Sequence, residues 1–246
     1  MDGRVSVVDP ATLTPAEPVS RLAVRTPFRR RDVRFDLIDA EVGEPSAWHR
    51  RDGALFGWVR AGRGWIEYGP GSDDAVTVAE GDFVRIPAGA VHRYVAAGAS
   101  LSVLAVAAGG LAISRADAPT AGTAVEPTVV GPADLVPTVE SANLTRETPF
   151  PDAEGMLTMR VRAAGGAAAG WHHHGQNVYF GYAVDGPSET EYGPTGDEVA
   201  RIERGECFHV PAGLVHRDTN PSGEPHTGII WLRGGEPWVV NVDGPG

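Results

Sequence analysis

Three histidines carry the chemistry this chain could do. Trp171-His172-His173-His174 places His172 and His174 two residues apart. On a β-strand that spacing puts both imidazoles on one face, roughly 7 Å apart along the backbone at ~3.3 Å per residue. Two imidazoles on one face can grip one metal ion. A later run, Gly205-Glu206-Cys207-Phe208-His209-Val210-Pro211-Ala212-Gly213-Leu214-Val215-His216, supplies His216 from a strand that follows a Pro-Gly turn. His173 points to the opposite face. Neutral imidazole suits iron, nickel, copper, zinc and manganese about equally, so ligand type does not choose the ion.

The H-x-H pair followed by G-x5-P-x-G-x-x-H resembles the two motifs of the cupin superfamily. That resemblance implies two strands of a small β-barrel converging on a divalent metal, held by His172, His174 and His216. The second motif matches closely. The first departs from the family pattern, which has a glutamate four or five residues after the second histidine. Here those positions are Val178 and Tyr179, and neither supplies a carboxylate. Gln176 continues the period-two face of His172 and His174. It reads as a weak fourth ligand, a substrate hydrogen-bonder or a surface glutamine.

The chain also repeats itself. Gly81 to Arg93 mirrors Gly205 to Arg217, Tyr68-Gly69-Pro70 mirrors Tyr192-Gly193-Pro194, and Gly57-Trp58 mirrors Gly181-Tyr182, all at an offset of 124 residues. A period this long indicates a duplicated domain and not a solenoid. The expected fold is all-β: two tandem cupin jelly-roll barrels, over residues 21–113 and 138–246, joined by a linker at 114–137. In the first copy His49 aligns with His172, His92 aligns with His216, and Arg51 takes the place of His174. A guanidinium has no lone pair to donate to a metal. The first barrel is therefore expected to be metal-free and structural.

Composition supports this frame. In 246 residues, 32 glycines and 20 prolines fit many short strands joined by turns. Val76-Thr77-Val78, Ser102 to Val106, Leu157 to Arg162, Tyr179 to Val184, Ile229 to Leu232 and Trp238 to Val242 read as strands, and residues 1–20 as a tail or first edge strand. The net charge of −11 argues against a nucleic-acid partner. Arg29, Arg30 and Arg31 read as a short solvated arm. All 21 basic residues are arginine, which excludes Schiff-base and P-loop lysine chemistry. One cysteine permits no intrachain disulfide, no apolar secretory segment opens the chain, and no apolar run is long enough to span a membrane. The expected compartment is the cytoplasm, and the expected assembly a monomer or homodimer.

Other residues qualify for roles near the metal. Cys207 and His209 share a strand parity and are placed to line the second barrel, His209 as acid or base and Cys207 as a buried thiol. Tyr179, Tyr182 and Trp231 either wall a pocket or form core. Arg217 could pair with a substrate carboxylate, but Arg93 recurs at the same place in the first copy. His226 lies in an exposed loop. The resemblance implies a metal-dependent enzyme acting on a small molecule. The first expectation is a non-haem Fe(II) dioxygenase using O2 on a diketone, thiol or aromatic acid, with Tyr182, Cys207 and His209 around the metal; Ni, Zn, Mn and Cu remain open. The alternatives are a non-redox isomerase, hydrolase or decarboxylase, and a binding protein without turnover.

Overall fold

The computed structural model describes residues 3–30, 32–71, 73–138 and 143–245, so Met1, Asp2 and Arg31 lie outside the described residues. Short, alternating, β-branched segments bounded by glycine and proline turns fold into strands throughout, and the one helical element among them is a single 3-10 turn at Pro10–Thr12. No helix among the described residues is long and apolar enough to cross a membrane.

The chain forms two compact units, Thr12–Asp134 and Met1–Ala11 with Leu135–Gly246. The first unit carries a seven-stranded sheet in the order Thr128–Val130, Phe83–Ile86, Ala54–Ala61, Leu101–Ala108, Val33–Ala40, Leu22–Arg30, Ala16–Val19, with smaller sheets built on Arg63–Glu67 and His49–Arg51. The second repeats the plan. Its seven-stranded sheet runs Ser6–Val8, Cys207–Val210, Val178–Ala183, His226–Arg233, Met156–Ala163, Leu144–Thr148, Val136–Pro137. A five-stranded sheet completes it: Glu198–Ile202, Ser188–Tyr192, His216–Thr219, His172–His173, Val240–Asn241.

Three segments differ from the sequence reading. Ser6–Val8 is an edge strand of the second barrel, paired with Cys207–Val210 and not with the first copy that follows it in sequence. Residues 114–137 are not free linker: Thr128–Val130 pairs with Phe83–Ile86, and Val136–Pro137 pairs with Leu144–Thr148. β-branched residues there cover strand edges that would otherwise stay open. Arg29 and Arg30 end the Leu22–Arg30 strand and pair with Arg34 and Val33, so they form a hairpin end and not an arm.

In both barrels the Pro-x-Gly turn makes the same bend. Ala90 N–H donates to the Pro87 carbonyl and Leu214 N–H to the Pro211 carbonyl, each at 3.2 Å. Gly89 and Gly213 take φ of 75° and 74°, a region side-chain-bearing residues avoid. These turns aim His92 and His216 inward. The second core forms on one face of the large sheet, from Met159, Tyr179, Ala183, Ile202, Phe208, Val210 and Leu232. Gly181 is part of that fit, because a Cβ there would overlap the Phe208 ring. Gly181→Ala is expected to destabilise the protein by about 1–3 kcal/mol through overpacking, measured as a lowered midpoint of chemical denaturation. An unchanged midpoint would show that Phe208 moves aside freely.

Candidate metal centre

His172 and His216 are direct cross-strand partners in the second barrel, and His174 follows two residues on. The three rings converge. Centroid separations are 4.4 Å for His172–His216, 5.0 Å for His172–His174 and 5.2 Å for His174–His216. One ring nitrogen from each lies within 4.8 Å of the others.

Backbone carbonyls set the ring orientations. The Nδ1 atoms of His172, His174 and His216 bond to the carbonyls of Gly170, Trp238 and Leu214 at 2.8, 2.7 and 2.9 Å. A carbonyl accepts only, so each Nδ1 carries the proton and each Nε2 keeps its lone pair. Nε2 of His174 and of His216 is buried with no hydrogen-bond partner. Burial lowers the pKa of His174 to about 3, with the neighbouring imidazoles adding to it, and burial likewise lowers His216. Neutral, oriented imidazoles with converging lone pairs are what a divalent transition metal requires. The site fits a metal held by His172, His174 and His216.

A carboxylate absent from the sequence reading joins them. Asp218 stands two residues after His216 and therefore on the same strand face. Its Oδ2 lies 4.0 Å from His216 Nε2, and Thr190 Oγ1 donates to its Oδ1 at 2.9 Å. Burial acts to raise this carboxyl, but His216, His172 and the Thr190 hydrogen bond outweigh it and hold it below the usual value. Tyr179 fills the space between. Its ring packs edge-on against His174 at 4.7 Å, and its hydroxyl hydrogen-bonds Asp218. Burial, then the Asp218 charge, push the Tyr179 pKa well above its ordinary value, so the hydroxyl stays protonated as a donor. The carboxylate beside the triad thus comes from the other motif's strand and stands outside the cluster of three histidine nitrogens. The signal that could have found it is its i+2 spacing from His216.

Gln176 does not reach this group. The strand ends at His173, Gly175 turns with φ of 55°, and Gln176 is exposed. Period-two alternation does not extend to Gln176, because the strand stops before it. Asn177 is the buried residue there: it accepts from Gly235 N–H at 2.8 Å and donates to the Pro237 carbonyl, securing the loop whose Trp238 carbonyl orients His174. His173 points away and accepts from Gly175 N–H.

Cys207 and His209 also lie elsewhere, and Tyr182 shares their sheet face although it borders the cavity that Tyr179 and Asp218 line. Tyr182 pairs with Cys207 and Phe180 with His209, whereas Tyr179 pairs with Val210 and Gly181 with Phe208. Opposed residues share a face, so Tyr179 and Phe208 face the histidines and the other set faces away. Phe208 packs on Tyr179 at 5.6 Å, and the His209 ring lies 5.3 Å from Phe180. Cys207, His209 and Trp231 are buried core on that opposite face. Arg217 is structural: it bonds Glu191 at 2.6 Å and lies over Trp171 at 5.0 Å. Arg93 repeats this with Glu67 at 2.6 Å and Trp48 at 4.5 Å.

The first barrel keeps the frame and loses the site. His49 and His92 stand 4.4 Å apart, their Nδ1 atoms bonded to Ala47 and Ala90 carbonyls at 3.0 Å. Arg51 brings a buried guanidinium to the third position, paired with buried Asp36 at 3.0 Å. Arg34 and Thr26 complete that carboxylate's partners at 2.6 and 2.7 Å. Tyr94 stands where the second copy has Asp218. Arg51 thus puts a fixed cation where the second copy has His174.

Comparison with known proteins agrees with this architecture. The cupin domain family model matches residues 37–107 and 159–232. The chain belongs to the cupin family, as a bicupin. Among solved structures it is similar to the oxalate decarboxylase of Bacillus subtilis, at 14% identity and a TM-score of 0.74 over 96% of this chain and 78% of that one. It is also similar to a formate complex of the Lactobacillus farciminis oxalate decarboxylase, at 13% identity and a TM-score of 0.75 over 96% and 88%. No curated protein sequence matches it.

Two outcomes follow from the contrast between barrels. His174→Ala is expected to abolish stoichiometric metal binding and His49→Ala to leave it near wild type, measured by elemental mass spectrometry. Metal retained in His174→Ala would assign it to another site. Acid should also act through the first barrel. Burial, with the Arg51 charge as a lesser cause, lowers His49 from 6.5 to about 4 in the fold. The unfolded chain then binds the extra proton first, so this contribution is present above about pH 6.5 and lost as pH falls toward 4. Its size is on the order of 3 kcal/mol. His49→Gln should flatten the decline of the thermal midpoint across that window; an unaltered slope would contradict it.

Proposed function

We propose that the second barrel is a metal-dependent catalytic centre for non-redox chemistry on a small organic acid, with decarboxylation as the reaction class. The observation that carries this reading is the Tyr179–Asp218 hydrogen bond beside the three histidines. His172, His174 and His216 would hold the ion, whose bound form supplies Lewis-acid polarisation of a substrate oxygen. The three carbonyl bonds keep the rings fixed. Phe208 and Tyr179 exclude water from one side of the site.

The pair has a defined task in such a reaction. When a carboxylate leaves as CO2, the C–C bond breaks and its electron pair stays on the substrate carbon. That carbon needs a proton. The Tyr179 hydroxyl, anchored by Asp218, is placed to hand it over, and Asp218, one-third exposed, relays its replacement from water. The similarity to oxalate decarboxylases, one described with Mn(II) centres, supports this class over the Fe(II) oxygenase expected from three histidines alone.

Metal-stripped protein reloaded anaerobically with Mn(II), Zn(II), Ni(II) or Fe(II) and given a panel of small carboxylic acids, oxalate included, separates the readings. CO2 release without O2 uptake supports the proposal. O2 uptake that depends on substrate and occurs only with Fe(II) would replace it with the oxygenase. For the acid that is turned over, Asp218→Asn and Tyr179→Phe should lower kcat by roughly 10²- to 10⁴-fold while metal content holds. Full activity in both variants would remove the pair from the chemistry.

A further inference from the structure

A cavity of about 60 Å³ opens beside the metal centre, on the Tyr179–Asp218 side. Leu144, Val161, Ala163, Ala167, Phe208 and Ile230 supply apolar wall. None of the three histidines lines it, whereas Tyr179 and Asp218 do. Tyr179 packs on His174 on one side and lines the cavity on the other, so the cavity adjoins the triad through that residue. Tyr182 and His226 also touch it.

The walls decide what the cavity can take. Its one carboxylate is Asp218, and no arginine lines it. A second acidic group on a ligand would meet a like charge, with only the His226 imidazole, already bonded through Nδ1 to the Pro187 carbonyl, and neutral groups such as Ser188 and Asn220 to offset its desolvation. A hydrocarbon would meet Leu, Val, Ala, Phe and Ile side chains and displace water from them. The volume is room for roughly four water molecules at about 15 Å³ each, and hence for a tail of about four non-hydrogen atoms. Ala163 and Ala167 are both buried, and their small side chains leave that space open.

We infer that the substrate is a monoacid with one acidic head for the metal centre and a short unbranched or once-branched aliphatic tail, of about four carbons, for this cavity. The inference rests on the metal-centre reading for the position of the head. It gives Ala167 a specificity-determining role, as the residue whose size sets the tail length accepted. It also separates this chain from a protein built for a compact diacid.

The test is calorimetric titration of the full chain loaded with Mn(II), using the straight-chain monocarboxylates from acetate to hexanoate, and butanedioate and pentanedioate as diacids. Kd should fall about three- to fourfold per added methylene up to pentanoate, then level off. Pentanoate should bind at least about tenfold more tightly than pentanedioate, the added carboxylate being uncompensated. Ala167→Leu should flatten the series from propanoate onward while acetate binding and Mn content hold. If that variant fails to fold, Ala167→Val should shorten the series by about one carbon. A flat series in the wild type, or diacids binding as tightly as monoacids, would overturn the inference. Chain-length-dependent binding with no CO2 released from any acid would sink the decarboxylase reading and leave the cavity's occupant as stated. CO2 release from acids with a flat series would do the reverse.

Discussion

Three backbone carbonyls, those of Gly170, Trp238 and Leu214, are the constraint on which the site depends. Each accepts a proton-bearing Nδ1 and turns the opposite nitrogen of its histidine inward. The surrounding fold can be read as the means of placing those carbonyls. The Pro211–Gly213 turn presents Leu214, the short loop before Trp171 presents Gly170, and the loop held by Asn177 presents Trp238. Burial then keeps the His174 and His216 rings neutral, which a metal ligand must be. Orientation, tautomer and charge state follow from the same few bonds.

The first barrel shows the same frame put to another use. Its histidines keep their carbonyl bonds and their 4.4 Å separation, yet a guanidinium occupies the third corner. The Arg51–Asp36 pair brings a fixed cation and a neutralising carboxylate in place of an exchangeable ion. A buried pair of this kind is costly to break from either side, so the barrel depends on it for structure. Conservation of the Arg–Glu–Trp stack in both halves, at Arg217 and at Arg93, marks that stack as part of the frame and not of the chemistry.

Much of this was legible in the residues. The H-x-H spacing, the Pro-x-Gly turn and the 124-residue repeat point directly to two barrels and one histidine triad, because each encodes a local rule of strand parity or turn geometry. What was hidden depends on where strands end and how they pair. Gln176 looks like a continuation of the metal face only while the strand continues, and Gly175 ends it. Cys207 and His209 share a parity, but parity alone does not say which face turns inward; the pairing of Tyr179 with Val210 decides that, and it is a long-range contact. Asp218 was missed for a related reason. The first motif's own strand carries no carboxylate, whereas the fold brings one beside the triad from the strand opposite, next to Tyr179.

The central claim is that one divalent metal sits on His172, His174 and His216 and none on His49 and His92. Anomalous diffraction from crystals of the Mn(II)-loaded chain, recorded either side of the manganese absorption edge, tests it most directly. The account predicts a single strong peak within bonding distance of the three Nε2 atoms and none between His49 and His92. A peak of equal strength in the first barrel, or none at the triad, would contradict it.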